Sequence, residues 1–137
     1  MKIEEVRIGN YIKSEQINLF RIDQIYFSKH QGYMLKMNID IDNDSFLKMP
    51  IELAEPIEIS TEFLLNNGFK VTSVDSYLGE CYENKELRIQ MYRYVGCWSI
   101  HIDDCDYDSI FFTYINYIHE YQNALMFALK KDIPINI

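Results

Sequence analysis

Residues 116–130, NYIHEYQNALMFALK, form the longest stretch in which apolar side chains recur with the period of an α-helix. At about 100° per residue, Ile115, Ile118, Tyr121, Leu125, Ala128 and Leu129 gather on one face, while Glu120 and Lys131 point away. A helix with a single apolar stripe is stable only when that stripe is buried against another element. Most of the remaining chain alternates with the period of a strand, so the partner must be a sheet. The expectation is therefore an α+β protein in which this helix is a lid. Asn116 is the predicted N-cap, and Ile133-Pro134 ends the element.

Residues 1–58 read as β. Gly9-Asn10 is a turn signal between Val6-Arg7-Ile8 and the short strand that starts at Tyr11-Ile12. From Leu19 to Phe27 the alternation is imperfect, which predicts a bulge or a change of face. Tyr33, Leu35, Met37 and Ile39 share one parity and predict a half-buried strand. An acidic loop, Asp40 to Ser45, leads into a further run, Phe46 to Leu53. Short strands with tight connections predict an SH3-like small β-barrel. Next, Ser60 is a good N-cap, with Glu62 in the first turn. Ile59 and Leu64 are spaced for a hydrophobic staple, and Gly68 for a left-handed C-cap onto which Phe69 can fold. This short helix is expected to plug the end of the first sheet. From Phe69 to Tyr114 the pattern returns to β. Leu87, Ile89 and Met91 share one face. Trp98, Ile100 and Ile102 have the opposite parity, which a hairpin turn at Tyr94 to Gly96 reconciles. The predicted organisation is a barrel-like subdomain over residues 1–58, then a compact unit over 59–137. That second unit holds the short helix, an antiparallel β-meander and the C-terminal α-helix that caps it.

Charge narrows the function classes. The net charge is −8, with 13 Lys and Arg against 21 Asp and Glu. Affinity for nucleic acid comes largely from neutralised phosphates and needs a basic face, so direct nucleic-acid binding is disfavoured. An acidic surface fits a basic partner, or a mimic of nucleic acid. The three cysteines, Cys81, Cys97 and Cys105, are odd in number and lack CxxC spacing, which suits reduced thiols in a cytoplasmic protein. The N-terminus has no signal-peptide pattern, and no run is apolar enough for a membrane span. Aromatic residues are 15% of the chain, including 11 Tyr. Tyr combines an apolar ring with a hydroxyl and suits contact surfaces as well as β-rich cores.

Few residues present themselves for chemistry. His119, Gln122 and Asn123 stand at i, i+3 and i+4 and are neighbours on the helix. Gln122 falls inside the apolar arc, so it is expected to be a structural tie to strand or loop backbone. His119 at the rim and Asn123 beyond it remain as binding candidates. Phe127 projects opposite the buried face, where it could meet a further layer or a second subunit of a homo-oligomer. His101 and Asp103 share a strand face at a spacing open to two metal ligands, with Asp106 nearby. Asp104-x-Asp106-x-Asp108 opens like an EF-hand loop, but Ser109 and Ile115 stand where that loop needs Gly and Glu. Asp40-x-Asp42-x-Asp44 fails in the same way. No dinucleotide, Walker, zincin or nucleophile-elbow motif is present, so no cofactor is expected.

Three stretches, in order and spanning most of the chain, carry a family resemblance. Arg7-Ile8-Gly9-Asn10-Tyr11-Ile12, then Glu55-Pro56-Ile57 through Thr61-Glu62, Leu64-Leu65 and Gly68-Phe69, then Ile118-His119-Glu120-Tyr121-Gln122-Asn123 with Ala128-Leu129 resemble motifs of a family of uncharacterised proteins. That family is common in Bacteroides-type gut bacteria and their phages and mobile elements. The chain departs from its pattern at Glu120, Tyr121 and Ala124 and lacks the Thr-Gly that usually follows the final Ala-Leu. The resemblance implies a cytosolic phage or mobile-element setting and imports no activity.

The functional expectation is a small non-enzymatic protein-interaction module that contacts another protein through a Tyr-rich surface. One alternative is a metal- or His-dependent hydrolase built on His101 and the Asp103–Asp108 loop, with His119. A third is an acidic nucleic-acid mimic.

Overall fold

The computed structural model describes residues 1–15, 17–40, 45–75, 79–103, 109–130 and 133–137. It is an α+β protein whose paired strands are all antiparallel. In chain order the elements are β1 (Tyr11–Ser14), β2 (Ile17–Arg21), β3 (Gln24–Ser28), β4 (Gly32–Asp40), β5 (Ser45–Pro50), α1 (Thr61–Asn66), β6 (Lys70–Asp75), β7 (Gly79–Asn84), β8 (Ile89–Tyr94), β9 (Cys97–Asp103), β10 (Ser109–Ile115) and α2 (Ile118–Leu129). They fall into two compact units. The first is Met1–Glu58 with Tyr117–Lys131, and the second is Ile59–Asn116 with Asp132–Ile137. No helix among the described residues is long and apolar enough to cross a membrane.

In the first unit, β1 pairs with β2, and β3, β4 and β5 form a separate three-stranded sheet. The two ladders do not join into the expected closed barrel. The imperfect run from Leu19 to Phe27 turns out to be two strands. It breaks at Ile22-Asp23, where Ile22 is fully buried and its backbone bonds to the Gly9-Asn10 turn. Gly9 N donates to Ile22 O at 2.7 Å, and Ile22 N to Asn10 O at 2.9 Å. Ile12, Phe20, Ile22, Leu35, Met37 and Ile51 are part of the core. Strand β4 does not alternate cleanly: Met34 and Leu35 are both buried, and Tyr33 is 43% exposed, with its ring edge-on to Phe27.

Helix α2 belongs to this unit, which corrects the expectation that grouped it with the meander in one unit over residues 59–137. Ile118 N donates to Ile57 O at 2.8 Å, and the side chains of α2 bond to the loop that carries Gly9 and Asn10. An apolar stripe requires burial but does not specify its partner surface; here Gln122, within the stripe, and Asn123, beside it, bond to the first residues of the chain. Its N-cap is Tyr117 rather than Asn116, and Glu120 does not simply point away, since its Oε2 accepts from Tyr117 N at 3.1 Å.

In the second unit, one sheet runs in the order β10-β9-β8-β7-β6. Tyr82, Met91 and Ile100 stand in register across β7, β8 and β9, and all three are buried. The β8–β9 hairpin turns at Val95-Gly96, pairing Tyr94 with Cys97 and Ile89 with Ile102. Helix α1 is in this unit, where the expectation had joined it to the first sheet. Its local signals are satisfied as read: Ser60 Oγ accepts from Phe63 N at 3.0 Å, and Gly68 takes a φ of 80°. Gly68 N then donates to Leu65 O and Phe69 N to Leu64 O, the two bonds of a Schellman cap. Trp98 Nε1 donates to Ile59 O at 3.3 Å, fixing the entry to the helix.

Candidate functional site

Strand alternation gives the sheet of the second unit two faces. Met91 and Ile100 face one way, so Tyr92 and Tyr94 on β8 and Ser99 and His101 on β9 face the other. On β10, regular alternation would send Phe111 and Tyr114 to opposite faces. A β-bulge intervenes: Phe111 pairs with His101, Thr113 with Ile100 and Tyr114 with Ser99. The extra residue restores the parity, and both rings join the face of His101.

The result is a continuous chain of rings. Tyr92 and His101 have centroids 4.8 Å apart, His101 and Phe111 5.6 Å, Phe111 and Tyr114 4.9 Å, and Tyr114 and Tyr94 5.9 Å. Most pairs are edge-on, the geometry favoured by aromatic quadrupoles. Tyr114 is 57% exposed and Phe111 47%. His101 Nε2 lies 3.2 Å from Ser99 Oγ, and Tyr92 Oη donates to Gln90 Oε1 at 2.9 Å. Burial lowers the His101 pKa from its ordinary value, which favours the neutral ring. The described rings therefore make an apolar patch edged by hydroxyls.

His101 thus stands in an aromatic row. Of its proposed metal partners, Asp106 and the side chain of Asp103 lie outside the described residues. Among the described residues no group of three or more His, Cys, Asp and Glu side chains is placed to hold a metal ion. The Asp104 to Asp108 and Ile41 to Asp44 segments also lie outside the described residues.

The candidates on α2 are in the first unit. Gln122 is buried; its Nε2 donates to Gly9 O at 3.0 Å and its Oε1 accepts from Tyr11 N at 2.9 Å. Asn123, expected to remain available for binding, is engaged instead. Its Oδ1 accepts from Arg7 Nε at 2.8 Å and Asn10 Nδ2 at 3.0 Å, and its Nδ2 donates to Glu5 O at 3.0 Å. The stretch that resembles an opening motif and the one that resembles a closing motif therefore meet as one polar clasp. His119 is not at a rim: it is 3% exposed, its ring is stacked 5.8 Å from that of Tyr117, and its Nδ1 has no hydrogen-bond partner among the described residues. Burial pushes its pKa down, opposed by Glu120 and Glu5 and aided by the N-terminal ammonium. Phe127 is 66% exposed, with the Lys130 ammonium 4.6 Å from its ring centroid.

Residue-by-residue reading missed Tyr92, Tyr94, Phe111 and Tyr114. The abundance of Tyr was a signal, but the bulge in β10 hid which rings share a face. No protein-family model, curated protein or solved structure matches the chain.

Proposed function

We propose that this protein is a small non-enzymatic interaction module that docks another protein on the aromatic face of β8, β9 and β10. Its setting would be the cytoplasm of a bacterium that carries phage or mobile-element genes of the kind the chain resembles. One observation carries the reading: five contiguous rings, Tyr92, Tyr94, His101, Phe111 and Tyr114, on one open sheet face. Exposed apolar clusters of this kind mark contact sites. Tyr in particular supplies large contact area with little side-chain entropy to lose and a hydroxyl that tolerates both water and burial. The free thiols of Cys81 and Cys97 are consistent with a reducing compartment.

The test compares the tagged wild-type chain with a Phe111→Ser/Tyr114→Ser variant in capture from the native host, read by mass spectrometry. Both side chains are substantially exposed, so the melting temperature should hold within a few degrees. The reading expects a partner that is recovered by the wild type and lost with the variant, and whose purified form binds the wild type at least tenfold more tightly, about 1.4 kcal/mol. Recovery of the same proteins by both chains, or of none by either, would sink it.

A further inference from the structure

The first unit holds a cleft of about 320 Å³ between the β1–β2 connection and the end of β5 with the turn that follows. Its floor is apolar, made by Ile17, Leu47, Met49 and Leu53. Leu53 is 61% exposed, so the floor is open to solvent. The rim is acidic, with Glu15, Glu52 and Glu55. Among the described residues Glu15 and Glu52 have no ion-pair or hydrogen-bond partner, and Glu55 reaches Lys13 only at 3.9 Å. Among the described residues the one cation on the lining is Lys48, whose ammonium lies over the Phe46 ring, 5.0 Å from its centroid.

From this geometry we infer that the cleft takes a short basic segment of a partner protein, with one leucine-sized side chain seated on the floor and flanking Lys or Arg against the rim. The volume is at the small end of ligand pockets and has room for a large side chain together with part of its flanking backbone. The Glu15 and Glu52 carboxylates, unpaired among the described residues, favour cationic flanks, because an arriving ammonium displaces no described partner there and gains a modest, solvent-screened Coulomb energy at this exposed rim. An apolar floor alone would accept any greasy group. The rim restricts the choice to basic sequences and disfavours acidic ones through like-charge repulsion. This cleft lies in the first unit and does not depend on the aromatic face.

The probe is a fluorescein-labelled peptide with a central leucine flanked by lysines, titrated with the full chain and read by anisotropy. Two control peptides replace the leucine with serine, or the lysines with glutamates. Binding of the first peptide should weaken as salt rises from about 0.05 M to about 0.5 M, since rim charges are screened. Glu15→Gln/Glu52→Gln should weaken it by about threefold to tenfold, and Leu53→Ser should weaken it similarly. All three positions are exposed, and a melt of each variant confirms folding. Three results would overturn the inference: no binding of the leucine peptide, equal binding of the serine peptide, or unchanged affinity in both variants. A concentration-dependent dimer abolished by Leu53→Ser would overturn it too, by assigning the cleft to a second copy of the chain.

Discussion

Gln122 and Asn123 are adjacent on α2 and bond to the same loop, yet replacing them should not have equal effects. Gln122→Ala leaves Gly9 O without its partner at a buried position, at a cost of about 1–3 kcal/mol, and removes a part-buried bond to Tyr11 N as well. Asn123 is only half-buried, so water can replace its partners and Asn123→Ala should cost about 1 kcal/mol. Urea denaturation of both variants checks the order. His119 makes a second prediction at this scale. Its folded pKa lies below the ordinary 6.5, mainly because burial disfavours the charged ring. As the pH falls below that value, the unfolded chain takes up a proton that the folded chain does not. Stability is therefore full above pH 6.5 and declines below it until the folded pKa is reached. His101 adds to the slope in the same direction. Unfolding free energies measured between about pH 7.5 and pH 5 should decline less steeply in His119→Phe than in the wild type. The helical wheel placed Gln122 correctly inward, because that depends on i to i+4 spacing alone. It could not assign Asn123, whose side-chain partners are more than 110 positions away in the chain.

Among the elements, α1 was the most legible and β10 the least. The ends of α1 are set by residues that bond to their own neighbours: Ser60 to Phe63, Gly68 to Leu65, Phe69 to Leu64. Ser60→Ala should therefore cost about 1 kcal/mol of stability. Gly68→Ala should cost about 1 kcal/mol or more, since alanine is strained at a φ of 80° and its Cβ would meet Asn84 Nδ2 at 3.3 Å. Thermal melts of the two variants test both values, and a neutral Gly68→Ala would contradict the cap geometry. Strand β10 has no such local signature for its bulge. Which residue is squeezed out of the ladder depends on the register imposed by β9, so Phe111 and Tyr114 could not be placed on one face from parity.

At the scale of the molecule, α2 comes late in the chain and joins its first residues: Arg7, Asn10 and Tyr11 bond to Gln122 and Asn123. A chain ending at Asn116 should lose the native amide resonances of Val6 to Ile22, although none of those residues is deleted. A spectrum with those peaks unmoved would refute the assignment of α2 to the first unit. What the amino-acid order determined by itself was local: the β character of most of the chain, the extent of α1 and its caps, and the inward side of α2, together with a net acidic charge. Only the tertiary structure decided which unit each helix joins, that the first unit's strands form two ladders instead of a barrel, that Asn123 is bound, and that five rings meet on one face. The physical reason is that periodicity and capping act within a few residues, whereas burying a stripe or setting a register requires a partner surface. Several apolar surfaces in this chain could have served, and the surface used is the one on which Gln122 also satisfies Gly9 O and Tyr11 N.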